Sequence, residues 1–212
     1  MAHGGRQGEG RRDAGPGFQP IRAPDRRRAE RLLHRRSARG PGSERVVERL
    51  NAYLAAAAGR GIPIYASRDW HPADTSHFQP YGGIWPVHCV QDTPGAQFHP
   101  GLRLPPSVIV VSKGDDPARH GYSALDGHLA DGTPFLDDLR RRGITHLYVG
   151  GLATDYCVMH SAIDAAGAGL RVTVLEDAVA GVDVQPGDSA RAIEAMRRQR
   201  VDVVAGHGTL AQ

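Results

Sequence analysis

Beyond residue 42 the chain alternates between stretches whose apolar positions recur every three or four residues and short runs of consecutive apolar residues. Val46, Val47, Leu50 and Leu54 fall at helical spacing and predict an amphipathic helix at about residues 43–59, capped by Ser43. The runs I-P-I-Y-A-S from Ile62, S-V-I-V-V-S (107–112), T-H-L-Y-V-G-G (145–151), R-V-T-V-L-E-D (171–177) and V-D-V-V-A-G (201–206) read as strands. Helices are predicted near 135–142, from about 155 to 168 and over 189–200. Strands that are apolar throughout, not on alternate residues, are covered on both faces. That pattern predicts an α/β fold: a doubly wound, Rossmann-like, mostly parallel sheet with helices on both faces. Ligands of such sheets bind outside the carboxyl ends of the strands. One element is missing, because the first helix has no strand in front of it.

A chain of 212 residues with 40% apolar content suits one domain with a full core. Only two cysteines, no signal-peptide apolar region and no run long enough to span a bilayer point to a reduced, cytoplasmic compartment and no membrane partner. The net charge of +3 conceals a split. Residues 1–42 carry eleven Arg against four acidic groups, whereas residues 43–212 carry fifteen basic against nineteen acidic groups. A basic arm on an acidic body suggests nucleic acid when aromatic stacking residues accompany it. Here the arm has only Phe18, with eight Gly and four Pro, so it reads as an aberrant, disordered segment and nucleic acid is not the favoured partner. The domain proper is residues 43–212, and the sequence is compatible with a homo-oligomer.

The strand ends carry the chemistry. S-R-D-W-H-P-A-D-T-S-H-F brings Asp69, His71 and His77, and G-G-I-W-P-V-H-C-V adds His88. A carboxylate and imidazoles on one irregular loop can converge on a divalent transition ion such as zinc, manganese or iron; the competing role is a capped turn with surface histidines. Lys113, the one lysine beside twenty-five arginines, follows the 107–112 run. Unlike arginine it offers a compact ammonium whose pKa can be lowered for proton exchange. Cys157 falls in the first turn of the helix after the 145–151 run, where free N–H groups and the helix dipole favour a thiolate and can stabilise an oxyanion. Cys89 reads as a small buried hydrophobe.

In this order, D-W-H-P, W-P-V-H-C, S-K-G and G-L-A-T-D-Y-C-V resemble the nicotinamidases (pyrazinamidases) of the isochorismatase-like cysteine hydrolase superfamily, from about Ser43 to the C-terminus. The resemblance implies hydrolysis of nicotinamide to nicotinate and ammonia, as in NAD salvage. Asp69, His71 and His88 are then ligands of one divalent metal, with His77 a further ligand in some members, and Cys157 is the nucleophile with Lys113 in support. Trp85 would stack on the pyridine ring and Tyr122 would line its other side, with core packing as the competing role for both. By the same resemblance Leu152 to Ala153 is a cis peptide, and the Ala153 and Cys157 N–H groups face the oxyanion.

The family also uses an aspartate at the end of a first strand, in a V-D-x-Q-x-D-F segment, to take the thiol proton. Residues 1–42 contain no such segment. Yet a GC-rich spelling of residues 25–42, read one base later, translates as I-V-D-V-Q-N-D-F-C-T-G-G-A-L-A-V-P, with the aspartate codon straddling Arg27 and Arg28. The expectation is a frameshifted reading of the missing strand, and little amidase activity in the chain as written. Asp13 and Asp25 follow no apolar run and are poor substitutes. Two other readings stay open: a sibling amide hydrolase, and an inactive hydrolase scaffold with a nucleic-acid-binding arm.

Overall fold

The computed structural model describes residues 42–206, residue 118 excepted. The expectations placed on residues 1–41, a disordered arm and a displaced first strand, lie outside the described residues, as do Asp13 and Asp25.

Helix α1 (Ser43–Ala58) opens the domain. It starts after Gly42, whose φ of 98° ends the preceding backbone in the left-handed region. The start has no side-chain cap, and Ser43 is the buried first helical residue and not the predicted cap. Strands β1 (Tyr65–Asp69) and β2 (Ile109–Lys113) follow. Next come α2 (Phe135–Arg141), β3 (His146–Leu152), α3 (Met159–Gly167), β4 (Arg171–Ala180), α4 (Asp188–Arg198) and β5 (Asp202–Val204). Every strand pairing is parallel, as continuous apolar strands require. β1 begins three residues later than the I-P-I-Y-A-S run, since Pro63 has no N–H to give a ladder.

The strands form two sheets, β1–β2 and β3–β4–β5. Val158, Met159, Ala162, Val172, Val174 and Met196 build the larger core between the three-stranded sheet and helices α3 and α4. Val111, Leu129, Phe135 and Leu139 build a smaller one beside β2 and α2. Among the described residues no strand lies between β1 and β3. A cavity of about 470 Å³ occupies that position, lined by Leu50, Leu54, Ile64, Phe135, Leu147 and Val149. This explains why Leu50 and Leu54 of α1 are only half-buried although they lie on its apolar face. The carboxyl ends of β1, β2 and β3 all open toward one irregular layer, which carries the candidate site.

Candidate active site

The register of the small sheet pairs Asp69 with Lys113 at its carboxyl end. The Lys113 ammonium is buried and donates to the Asp69 carboxylate, to the Gly121 carbonyl (2.7 Å) and to the Cys157 sulfur (3.3 Å). Burial alone would push the ammonium pKa down, but the charges of Cys157 and Asp69 and their hydrogen bonds outweigh it and hold the lysine protonated. The sequence-based expectation of a lowered lysine pKa is therefore corrected. For Asp69, burial pushes the carboxyl up, but Lys113 more than offsets this and keeps it ionised.

Cys157 lies in a single π-helical turn, Thr154–Val158, directly ahead of α3. Two N–H groups, of Tyr156 and Val158, converge on the Ala153 carbonyl (both 3.1 Å), and the Leu152–Ala153 peptide is cis. Beneath the turn the buried Asp155 carboxylate accepts from the N–H groups of Val182 (2.9 Å) and Asp183 (2.7 Å), tying it to the segment after β4. Burial raises the Cys157 thiol above its ordinary range; Lys113 and a hydrogen bond from the Ala153 backbone pull it down without cancelling that rise. Position near a helix start thus does not by itself make a thiolate here, because desolvation wins. Among the described residues no carboxylate is hydrogen-bonded to the sulfur.

Beyond Asp69 the chain turns into a loop that returns beside itself: the His71 N–H donates to the Cys89 carbonyl (3.0 Å) and the Gln91 N–H to the His71 carbonyl (2.9 Å). This clamp brings His71, His77 and His88 together, with donor atoms within 4.8 Å of one another. The His71 Nδ1 bonds to the Gly114 carbonyl (2.8 Å) and the His88 Nδ1 to the Pro86 carbonyl (2.7 Å). Those bonds leave the Nε2 atoms of both rings as donors, the arrangement metal-binding histidines need. Burial and mutual proximity keep His71 neutral and push His77 down to about 3. Three imidazole rings gathered in this way fit a divalent transition ion. Asp69, expected with His71 and His88 as a ligand and His77 as the further one, is bonded through its Oδ1 to Lys113, and the clustered donor atoms are those of the three histidines. Gly114 makes the crowding tolerable: its φ is 78°, and a Cβ there would lie 2.5 Å from the His71 ring.

The same layer is walled by aromatic rings. The buried Trp85 donates its Nε1–H to the Tyr122 hydroxyl (2.8 Å) and stacks near His77 at 6.2 Å. Tyr156, next to Cys157, meets Trp85 edge-on at 5.0 Å and Tyr122 at 5.5 Å. His160 stacks on Tyr122 at 5.2 Å. Sequence reading missed Tyr156 and His160; their positions flanking Cys157 in the first turns after β3 are the signal that could have found them. The nucleophile candidate, its lysine and the histidine cluster therefore lie beside one another. The Asp69–Lys113 pair joins them, as does the bond from His71 to the residue after Lys113.

A doubly wound α/β domain with a cysteine at a strand-to-helix turn and a histidine cluster on the facing loop defines a class of hydrolases. The Isochorismatase domain family matches residues 29–207. The chain belongs to that family. It is 39% identical over 167 residues to the nicotinamidase/pyrazinamidase of Mycobacterium tuberculosis, covering 77% of this chain and 87% of that one. It is 37% identical over 172 residues to the nicotinamidase of Escherichia coli, covering 74% and 81%. Among solved structures it is similar to the pyrazinamidase of Pyrococcus horikoshii in complex with zinc, at 37% identity and a TM-score of 0.69 over 78% of this chain and 87% of that one. The described residues include no helix long and apolar enough to cross a membrane.

Proposed function

We propose that this chain carries a nicotinamidase active site, which converts nicotinamide to nicotinate and ammonia with a divalent metal in place. The observation that carries the reading is the Lys113 ammonium bonded to both Asp69 and Cys157, beside three clustered histidines. The relatives support the substrate, since they are nicotinamidases and pyrazinamidases.

His71, His77 and His88 would hold the metal, which when bound supplies a Lewis-acidic anchor for the pyridine nitrogen. Trp85 and Tyr122 bound the ring, and Tyr156 closes the side next to the sulfur. The Cys157 sulfur attacks the carboxamide carbon, and the resulting oxyanion lies against the Ala153 and Cys157 N–H groups. The adduct collapses with loss of the amide nitrogen, which leaves as ammonia after taking up the thiol proton. Water then cleaves the thioester, returning a proton to sulfur and releasing nicotinate. Lys113 stays charged throughout and steadies the thiolate.

The thiol proton needs an acceptor, and its raised pKa makes that need acute. Asp69, committed to Lys113, is a poor one. Slow turnover follows for the chain as written. The test is ammonia release from nicotinamide with zinc, with zinc plus chelator, and from Cys157→Ser. Release that requires both zinc and Cys157 is expected; release that survives either loss would refute the assignment.

A further inference from the structure

The segment that follows Lys113 returns to the site at Gly121 and is bonded there at three points. The Gly121 carbonyl accepts from the Lys113 ammonium (2.7 Å), the Tyr122 hydroxyl accepts from the Trp85 indole N–H (2.8 Å), and the Ala124 N–H donates to the Ser161 hydroxyl of α3 (2.8 Å). The first and last bonds hold backbone, so the Tyr122 ring is fixed by what packs on it. The His160 imidazole lies nearly parallel to that ring, at 5.2 Å and 24°, and the His120 imidazole at 5.7 Å and 16°. Separations and angles of this size are those of offset stacks.

The two imidazoles are not equivalent. His120 is exposed and belongs to the same segment as Tyr122, two residues before it, so it moves with the ring it touches. His160 is half-buried on α3, one turn beyond Cys157 and next to Ser161, so it belongs to the half of the molecule that carries the sulfur. Burial keeps the His160 imidazole below its ordinary pKa range, which leaves it uncharged at neutral pH and sets no second cation beside Lys113. No step of the amide chemistry uses it. Its contacts instead suit it to hold one flat ring, that of the side chain bonded to the Trp85 indole.

We infer that His160 is a positioning residue: by stacking on Tyr122 it fixes the hydroxyl that holds the Trp85 indole, and so sets the place of the ring slot relative to the Cys157 sulfur before substrate enters. The order of dependence is His160, Tyr122, Trp85, from the sulfur-bearing half to the histidine loop. The identity of the ring in the slot rests on the amidase reading, whereas the coupling of the three side chains does not.

The test needs Trp85 as the sole tryptophan, which Trp70→Phe provides. In that background the full chain is compared with His160→Ala, with His160→Phe, which keeps a flat ring, with Tyr122→Phe, which removes the hydroxyl, and with His160→Ala and Tyr122→Phe combined. His160→Leu, which keeps the site filled without a flat ring, carries the same expectation as His160→Ala and replaces it if the alanine variant does not fold. Acrylamide quenching of Trp85 reads indole exposure without metal or substrate, and ammonia release with zinc reads the slot. His160→Ala should raise the quenching constant of an indole only 5% exposed by roughly twofold or more, and His160→Phe should leave it at the parent value. Tyr122→Phe should also raise it, and adding His160→Ala should change it no further, since both act through one bond. With zinc, His160→Ala should raise KM for nicotinamide by about 3- to 10-fold, the range one aromatic stack contributes, with kcat within about twofold. Unchanged quenching in His160→Ala, failure of His160→Phe to restore it, an additive effect in the combined variant, or a fall in kcat at unchanged KM would overturn the inference. Increased quenching that follows this pattern in a chain releasing no ammonia supports the coupling and removes the amidase reading. Ammonia release with quenching unmoved by His160→Ala keeps the amidase reading and removes the coupling.

Discussion

The two sheets divide the labour unequally. The three-stranded sheet with α3 and α4 holds the larger buried core and presents one reactive group, Cys157, on a turn braced by Asp155. The two-stranded sheet has the smaller core, yet it positions Lys113, Asp69 and, through the clamped loop, all three clustered histidines. Reactivity on one side is therefore anchored by packing, and on the other by short polar bonds between loops. What joins them among the described residues is side-chain contact: Lys113 to Cys157, Trp85 to Tyr156, and the Ala124 N–H to the Ser161 hydroxyl (2.8 Å). Chemistry that needs both halves crosses a seam in which the described residues place no strand.

The largest expected effect comes from filling that seam. A chain carrying I-V-D-V-Q-N-D-F-C-T-G-G-A-L-A-V-P in place of residues 25–41 should release ammonia from nicotinamide faster than the present chain by on the order of 10²–10⁴, the range a positioned proton acceptor contributes. Equal rates would mean that the seam is irrelevant to catalysis. Core truncation probes the two halves separately. Leu139 and Met196 are both fully buried, one in each core, so Leu139→Ala and Met196→Ala should each cost about 2–5 kcal/mol in denaturant unfolding. In the chain as written Leu139→Ala should speed hydrogen exchange in β1 and β2 while leaving β4 protected. Uniform loss of protection would show one cooperative unit and break the comparison.

Smaller effects sharpen it. His88→Ala should weaken zinc binding by roughly 10- to 100-fold in a competition titration, without shifting the unfolding midpoint of the larger core. Asp155→Asn removes the charge that holds the Val182 and Asp183 N–H groups, and should lower stability by about 1–3 kcal/mol. The smallest effect is in pH. Hydrogen bonds from the Tyr65 hydroxyl and from Arg141 and Arg142 hold the Asp138 carboxyl down to about 2. A carboxyl with a depressed folded pKa contributes stability above its ordinary value near 3.8 and loses it as pH falls toward 2. Asp138→Asn should therefore flatten acid unfolding between pH 4 and 2, leaving neutral-pH behaviour to other groups.

Much of this architecture was legible in the residue pattern. Continuous apolar runs foretold parallel strands, and the place of Lys113 and Cys157 after two of them foretold that they would meet. The three histidines were found from their spacing on one loop. What the pattern could not show is competition between partners. Asp69 is drawn to Lys113 because they share a register position at the ends of adjacent strands, which only pairing reveals. The Cys157 thiol is raised because burial outweighs the helix start, a balance that needs the folded surroundings. Ser43 reads as a cap, but Gly42 in the left-handed region starts the helix one residue earlier in the backbone and tucks the serine inside.

A site common to the Cys157 sulfur and the three histidines is the claim on which the rest stands, and a crystal of the full chain soaked with zinc and nicotinamide examines it directly by anomalous scattering. The account predicts a zinc peak on the rings of His71, His77 and His88, with the pyridine ring against Trp85 and its carboxamide carbon facing the Cys157 sulfur. Zinc held by Cys157 itself, or a ring bound away from the sulfur, would contradict it.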